Sequence, residues 1–164
     1  MKPKILLASL AAAASTAAAL VVSTGSAATT SDSSVAYVVQ FQGSTALIDV
    51  PPKAKGGILH DPRPGDALIS RSRVLDATAK HVGRTSEMCT MTIRRPVTYD
   101  CSLIVRLDDG SELLVHGAIN PMHTPWAAAV TGGTGRYAGA RGTVRVSDLT
   151  GKLPAERWAF NLIP

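Results

Sequence analysis

The histidines and hydroxyl residues of this sequence could support metal binding or nucleophilic catalysis, but their spacing favours neither. Four histidines are present, and three of them, His60, His81 and His123, fall in predicted loops that are far apart along the chain. No Gly-x-Ser-x-Gly elbow presents a serine nucleophile. The sequence therefore predicts no metal site and identifies no catalytic residue.

The two cysteines are predicted to form a disulfide. Cys89 and Cys101 each lie in a segment where apolar and polar residues alternate, and an Arg-Arg-Pro tripeptide separates the two segments, which predicts a hairpin. If Ile93 pairs with Val97, Cys89 faces Cys101 directly. An even number of cysteines in an exported chain favours the same bridge. The alternative is a reactive thiol or a metal-binding pair, which lacks a histidine or third cysteine at ligand spacing.

Residues 129–144 contain the densest glycine cluster of the chain, AVTGGTGRYAGARGTV. An apolar strand before glycines is typical of a dinucleotide-binding turn, but the residues after Gly142 alternate as a strand, and no Gly-Lys-Ser/Thr ends the motif. The sequence instead predicts a wide turn in which glycines allow positive φ angles. Arg141 is predicted to start or brace the next strand, and Tyr137 to pack over the end of the fold.

The chain contains short segments in which apolar and polar residues alternate, bounded by Gly, Pro or Asp. These predicted strands would hold the side chains of any functional site. In the last of them, Trp158, Phe160 and Leu162 share one face, as expected of a strand with one buried side. No helix is predicted. Closure into an antiparallel barrel would remove the exposed strand edges, so we predict a closed all-β barrel, with an immunoglobulin-like sandwich as the alternative. The predicted strands cover residues 35–42, 45–50, 66–75, 83–93, 98–107, 111–120, 126–131, 142–149 and 156–163.

Two connections between these strands carry functional expectations. Asp109-Gly110 predicts a two-residue hairpin turn that places Leu103 opposite His116. His116 would then be either a lumen group or a hydrogen-bonded residue of the wall. The loop of residues 51–64 is long for a barrel connection, and we predict that it covers one mouth as a lid.

The N-terminal segment is predicted to lie outside the folded domain. Two lysines precede an apolar run over residues 5–22, and small residues that fit an A-x-A-like cleavage pattern follow it. We expect a secretory signal peptide over residues 1–28, a disordered tail over 29–34 and a barrel domain over 35–164, in a secreted, extracellular protein. A membrane anchor is the alternative. The run is rich in alanine, which inserts poorly, so we expect no stable membrane insertion after signal cleavage.

The charge pattern bears on the choice of partner. The chain has 17 Lys and Arg against 12 Asp and Glu in 164 residues, a formal net charge of +5. The basic residues are spread singly along the sequence, with Arg94-Arg95 as the only adjacent pair. No phosphate-tracking stripe is visible, and no nucleic-acid partner is predicted.

The glycine-rich segment resembles a motif shared by plant allene oxide cyclases, dirigent proteins and secreted bacterial proteins of the same barrel superfamily. The resemblance covers residues 35–163. It implies a closed, antiparallel, eight-stranded, calycin-like β-barrel with a largely apolar cavity, in a homo-oligomer that is a trimer or dimer. It also implies cyclisation of an unstable epoxide or steering of radical coupling, neither of which needs a metal or an organic cofactor. Weaker matches occur in the family's order at Gly65-Asp66, Leu75-Asp76, GRTSEMCT from residue 83, and Val115-His116-Gly117.

Site residues carried over from this resemblance form a sparse polar set. Around Tyr37 the sequence resembles the first strand of the cyclases, where a glutamate follows the tyrosine, but Val38 stands at that position here. Ser72 falls where the cyclases place a polar pocket residue, and Arg141 matches an arginine of the dirigent motif. The candidate ligand-binding residues are Gln40, Ser72, His116 and Arg141.

The sequence thus predicts a secreted barrel that binds a small apolar molecule in its lumen. The resemblance favours a cofactor-free cyclase, isomerase or stereo-directing protein. The missing glutamate favours the alternative, a non-catalytic ligand-binding barrel. If side chains fill the lumen, the barrel is structural instead, as small eight-stranded barrels can be packed solid.

Overall fold

The structure of the chain is a computed structural model, and it describes residues 33–41, 45–52, 61–151 and 154–163. A 3-10 turn, η1, covers Gly135–Tyr137. Among the described residues, no helix is long and apolar enough to cross a membrane. The described residues form nine strands: β1 Ser33–Gln40, β2 Thr45–Ile48, β3 Ala67–Leu75, β4 His81–Arg94, β5 Val97–Leu107, β6 Glu112–Ile119, β7 Trp126–Thr134, β8 Arg141–Leu149 and β9 Ala155–Ile163.

One antiparallel sheet closes on itself. Its strands follow the order β1-β9-β8-β7-β6-β5-β4-β3, and β1 pairs again with β3, which completes a ring of eight strands. The ninth strand, β2, pairs with the first part of β3, next to the part that β1 uses. The predicted closed barrel is confirmed, and the described residues do not form the two stacked sheets of a sandwich.

A hydrophobic core lies inside the barrel. In β9, Trp158, Phe160 and Leu162 are buried, whereas Arg157 and Asn161 between them are exposed, which confirms the predicted alternation. Successive side chains of a strand point to opposite faces, so each strand of the ring contributes every second residue to this core. Burying a large apolar side chain stabilises the fold by about 1.5–3 kcal/mol. Trp158 and Phe160 are buried completely.

Cys89 and Cys101 form the predicted disulfide between β4 and β5. The two residues are direct partners in the sheet, as the predicted register requires. Near the turn the strands depart from that register, because an irregularity between Met91 and Ile93 places Ile93 opposite Thr98 rather than Val97. Both cysteines are fully buried, so the bridge is part of the inner wall.

The turn between β5 and β6 is one residue longer than predicted. The backbone N–H of Gly110 donates to the carbonyl of Leu107 (3.0 Å), and Gly110 has a φ of +84°, which is typical of a type I turn with a glycine bulge. Leu103 therefore faces Val115 instead of His116. A slip of one residue turns every side chain of a strand to the other face, so His116 lies on the outer surface.

The glycine-rich segment forms the end of β7, η1 and the start of β8, which confirms a wide turn with a strand after Gly142. Gly135 has a φ of +59°, and a Cβ at this position would lie 2.5 Å from Ser111 Oγ. Only glycine fits this close approach without strain. Tyr137 packs against the core at this end of the barrel, as predicted.

The first strand begins slightly earlier than the predicted domain boundary. β1 starts at Ser33, and Ser33 and Ser34 pair with Leu162 and Asn161 of β9. These two serines belonged to the predicted disordered tail. The predicted signal peptide, residues 1–28, and residues 29–32 lie outside the described residues.

The predicted lid is described only at its two ends. The carboxylate of Asp66 accepts hydrogen bonds from the backbone N–H groups of Val50 (3.0 Å) and Arg63 (2.7 Å). Asp66 is completely buried and thus fastens the start and the end of this connection to the barrel. Residues 53–60 lie outside the described part of the chain, so the covering role stays a prediction.

Candidate functional site

A pocket opens at one end of the barrel, which we name the mouth, where β3, β7 and β9 begin. Its volume is about 450 Å³, within the range of small-molecule sites. The wall is largely apolar, and the polar groups are confined to four residues. The apolar lining consists of Phe41, Leu47, Leu68, Pro121, Met122, Trp126 and Pro154, and the polar lining of Thr45, Ser70, Glu87 and Glu156.

Glu87 places a carboxyl group inside the barrel. It lies on the inner face of β4 and is only 6% exposed. The hydroxyl of Ser70 donates to its Oε2 (3.0 Å), and the hydroxyl of Thr85 donates to its Oε1 (3.3 Å). Burial raises the pKa of Glu87, while these two hydrogen bonds act in the opposite direction. Burial is the larger effect, so the net shift of the Glu87 pKa is upward.

Glu156 adds a second carboxyl group from the start of β9. The indole Nε1 of Trp158, on the same face, donates to its Oε2 (2.8 Å). The pKa of Glu156 is raised to about 7. Burial is the largest cause, the bond from Trp158 acts in the opposite direction, and repulsion from the carboxylates of Glu87 and Asp148 adds to the rise. Protonated and ionised forms of Glu156 are therefore both well populated near neutral pH.

The two tryptophans of the chain lie together at the mouth. Trp126 packs edge-on against Trp158, with 5.5 Å between the ring centroids. The Nε1 of Trp126 is buried, and it has no hydrogen-bond partner among the described residues. A buried indole N–H usually has a partner, so this donor is an unsatisfied polar group in a residue that lines the pocket.

Together these groups give the mouth pocket a defined chemical capacity. Its apolar wall can bind the apolar body of a small molecule. Glu156 can give or accept a proton near neutral pH, and the pKa of Glu87 beside it is also raised. No group of three or more His, Cys, Asp or Glu side chains suited to a metal occurs in the described ranges.

The opposite end of the barrel, which we name the closed end, is covered by η1. The hydroxyls of Tyr37 and Tyr137 share a hydrogen bond of 2.6 Å, and Arg136 Nη2 donates to the Tyr37 hydroxyl (3.3 Å). Arg136 also pairs with Asp109 (3.3 Å) and lies over the Tyr137 ring. Burial and the bond from Tyr137 raise the pKa of Tyr37, so this hydroxyl stays protonated. These contacts close the barrel.

The structure separates the four predicted ligand-binding residues. Gln40 lies on the outward-facing side of β1, and Arg141 is exposed and donates to the carbonyl of Ala140 (3.0 Å). His116 is on the outer surface, where its Nε2 lies 3.1 Å from Asp100 Oδ1. Ser72 is the one member that faces the lumen, where its hydroxyl is buried without a partner among the described residues. The expected placement in one lumen fails because strand register sends the other three outward.

Sequence reasoning missed the two glutamates of the mouth. It sought a carboxylate next to Tyr37 on β1, whereas β4 and β9 supply the carboxylates here. A signal was present, because Glu156 is in phase with the apolar face that begins at Trp158. Glu87 is likewise in phase with Cys89, two residues later, which the disulfide fixes on the inner face.

Comparisons with known proteins identify the fold. No family model matches the sequence, and no curated protein matches it. Among solved structures, a pyocyanin demethylase is 24% identical, with a TM-score of 0.63 over 79% of this chain and 99% of that chain. The pterocarpan synthase dirigent protein GePTS1 is 16% identical, with a TM-score of 0.64 over 80% and 84% of the two chains. The exo-specific intermolecular Diels-Alderase AbnU is 16% identical, with a TM-score of 0.59 over 79% and 98%.

Proposed function

From the barrel fold that this chain shares with the dirigent and cyclase superfamily, we propose that the mouth pocket binds a small, largely apolar molecule and isomerises or cyclises it without a cofactor. Glu87 and Glu156 are the proposed proton-transfer groups. One observation carries the proposal: two carboxyl groups with raised pKa values are buried together in a pocket with an otherwise apolar wall.

The proposed step is a proton relocation that conserves all atoms and electrons. Ionised Glu156 removes a proton from one atom of the ligand. The carboxylic acid of Glu87, or of Glu156 once it is protonated, returns a proton to another atom, so a double bond moves or a ring closes. An acid or base is most effective when its pKa lies near the working pH, as the pKa of Glu156 does. Burial raises the pKa of Glu87 as well, and two carboxyl groups buried in one pocket resist double ionisation, so Glu87 is the proposed carboxylic acid.

The remaining lining fits a ligand with one polar end. The N–H of Trp126 can donate to a carbonyl or phenolic oxygen, and charge developing on that oxygen during proton removal would strengthen the bond. Leu68, Phe41 and Met122 would contact the apolar body. The proposal therefore favours an apolar ketone, enol or phenol over a highly charged metabolite.

A steroid ketone provides a direct test of this chemistry. Isomerisation of 5-androstene-3,17-dione to the conjugated 4-ene requires removal of a proton from C4 and return of a proton to C6, and the product is followed by ultraviolet absorbance. We expect the full chain to accelerate this reaction and Glu156→Gln to reduce the acceleration by about 10²-fold or more. Arg145→Gln, an exposed change on β8, is the matched control and should leave the rate unchanged.

Binding is measured in the same samples through the fluorescence of Trp126 and Trp158, the two tryptophans of the chain. If the steroid quenches this fluorescence saturably but wild-type and Glu156→Gln proteins isomerise it at the same rate, the pocket is a binding site without acid–base catalysis. That result would favour the second candidate, a ligand-binding barrel.

We also propose that the protein is exported and acts outside the cell. The disulfide between Cys89 and Cys101 supports this, because such bridges persist in oxidising compartments. Expression in the native host, followed by mass spectrometry of the medium, should recover a chain that begins near residue 29. Recovery of an intact chain from the cytosol would contradict export.

We also propose that the protein forms a homo-oligomer. The resemblance favours a trimer or dimer, and sedimentation of the purified chain measures its mass directly. A single species with the mass of one chain would contradict a homo-oligomer.

A further inference from the structure

A row of arginines crosses the outer surface of three neighbouring strands. Arg73 of β3 faces Arg84 of β4, and Arg84 faces Arg106 of β5 in the sheet register. Arg71 lies two residues before Arg73 and on the same face. All four side chains are exposed. These residues are scattered along the sequence, and only the pairing of the strands brings them together.

The charges of this row are only partly compensated. Like charges at directly opposed positions of adjacent strands destabilise a sheet. Arg106 has an acidic partner, since its Nε lies 2.6 Å from Glu112 Oε1. Arg71 and Arg84 have no acidic partner in the part of the chain that the structure describes. This wall therefore retains positive charge at a cost to the fold.

The guanidinium groups border a defined groove. Arg71, Arg84 and Arg106 line a cavity of about 370 Å³, together with Ser86 and Ile104. Guanidinium groups bind phosphate oxygens with paired N–H donors and stay charged at all relevant pH values. The Ser86 hydroxyl can add a further donor. Three strands spaced by nearly 5 Å give the row a width of about 10 Å, which suits a compact ligand with more than one anionic group.

We propose that this groove, which we name the arginine groove, binds a small, multiply charged phosphate ligand free in solution. The site lies on the outside of the barrel and is separate from the mouth pocket, so it does not depend on the proposed catalytic function. A bound anion would offset the repulsion between Arg84 and its neighbours, and would therefore stabilise the folded chain.

Thermal unfolding and titration calorimetry with sodium tripolyphosphate test this proposal, with sodium chloride added to hold the ionic strength constant. We expect saturable binding that raises the melting temperature, because the ligand binds the folded state. Arg84→Gln should weaken the affinity at least tenfold, and Arg71→Gln should weaken it less. Arg145→Gln, which removes an exposed charge of β8, should bind as the wild type does.

The variants also have a readout without ligand. Arg84→Gln removes the residue between two facing arginines, so its melting temperature should equal or exceed that of the wild type. Equal tripolyphosphate affinity in wild type and Arg84→Gln would overturn the proposal, as would an absence of saturable binding. Cosedimentation with phosphatidylcholine vesicles containing phosphatidylglycerol distinguishes the source: binding to these vesicles without binding to tripolyphosphate would overturn a free phosphate ligand.

Discussion

The two ends of the barrel bury polar groups with opposite consequences. At the closed end, the hydroxyls of Tyr37 and Tyr137 bond to each other, and Arg136 bonds to Tyr37 and Asp109. At the mouth, the two carboxyl groups accept hydrogen bonds from separate neutral donors, and burial shifts both pKa values upward. Satisfied polar contacts stabilise a fold, whereas buried carboxyl groups reduce its stability wherever they ionise. We therefore interpret the closed end as structural and the mouth as the functional site.

The disulfide supports the mouth half of the barrel, since Cys89 follows Glu87 by one inward position on β4. Replacing both cysteines with alanine should lower the free energy of unfolding by about 2.5–3 kcal/mol, because the bridge restricts the unfolded chain. Urea denaturation measures this loss. Wild-type protein with reductant should match the double variant. If reductant leaves the urea midpoint unchanged, the bridge contributes no stability. The buried carboxyl groups of the mouth would then be held in place by other contacts.

Glu156→Gln should stabilise the protein above neutral pH. The pKa of Glu156 is about 7 in the folded chain and about 4.5 in the unfolded chain, so the folded state binds more protons between these values. Wild-type stability should therefore fall as pH rises from 4.5 to about 7, and level off above that. Solvent at the pocket limits the effect to roughly 2 kcal/mol.

The measurement is urea denaturation of wild type and variant at intervals from pH 4.5 to pH 8.5. Glu156→Gln should flatten this part of the profile, whereas Glu112→Gln on the outer face should keep the wild-type slope. A steeper fall in Glu156→Gln than in the wild type would contradict a raised pKa and would remove the contrast between the two ends.

Tyr137→Phe should have the smallest effect on the free energy of unfolding, and it should lower stability, whereas Glu156→Gln raises it. It removes the hydrogen bond to the Tyr37 hydroxyl, while Arg136 continues to donate to Tyr37, so the loss should be about 1 kcal/mol. Denaturation of this variant at pH 6 and pH 8 should give the same loss at both values. A gain in stability would show that the polar groups of the closed end also destabilise the fold. The two ends would then no longer differ in this respect.

The sequence patterns predicted most of the barrel because alternation with period two is strong in this chain. The nine strands, the closed ring and the Cys89–Cys101 pairing all follow from local patterns and one register. The predicted length of the β5–β6 turn was wrong by one residue, because Asp109-Gly110 fits both a two-residue turn and a turn with a glycine bulge. That single residue decided whether His116 faced the lumen or solvent.

The candidate sites were harder to predict because they depend on residues from different strands. Glu87 and Glu156 lie 69 positions apart, and only the closed ring places them in one pocket. The arginine groove is a similar case, since Arg71, Arg84 and Arg106 appear isolated in the sequence. Register between distant strands is set by the whole sheet, and local composition does not report it.

Carbon-13 NMR of the glutamate carboxyl groups tests the central claim most directly. The chain contains only three glutamates, Glu87, Glu112 and Glu156, so three side-chain signals are expected, and Glu156→Gln assigns one of them. We expect the Glu156 carboxyl to titrate near pH 7 in the folded protein. A Glu156 titration near pH 4.5 in the folded chain would contradict a buried, protonatable carboxyl group at the mouth, and with it the account of this pocket as an acid–base site.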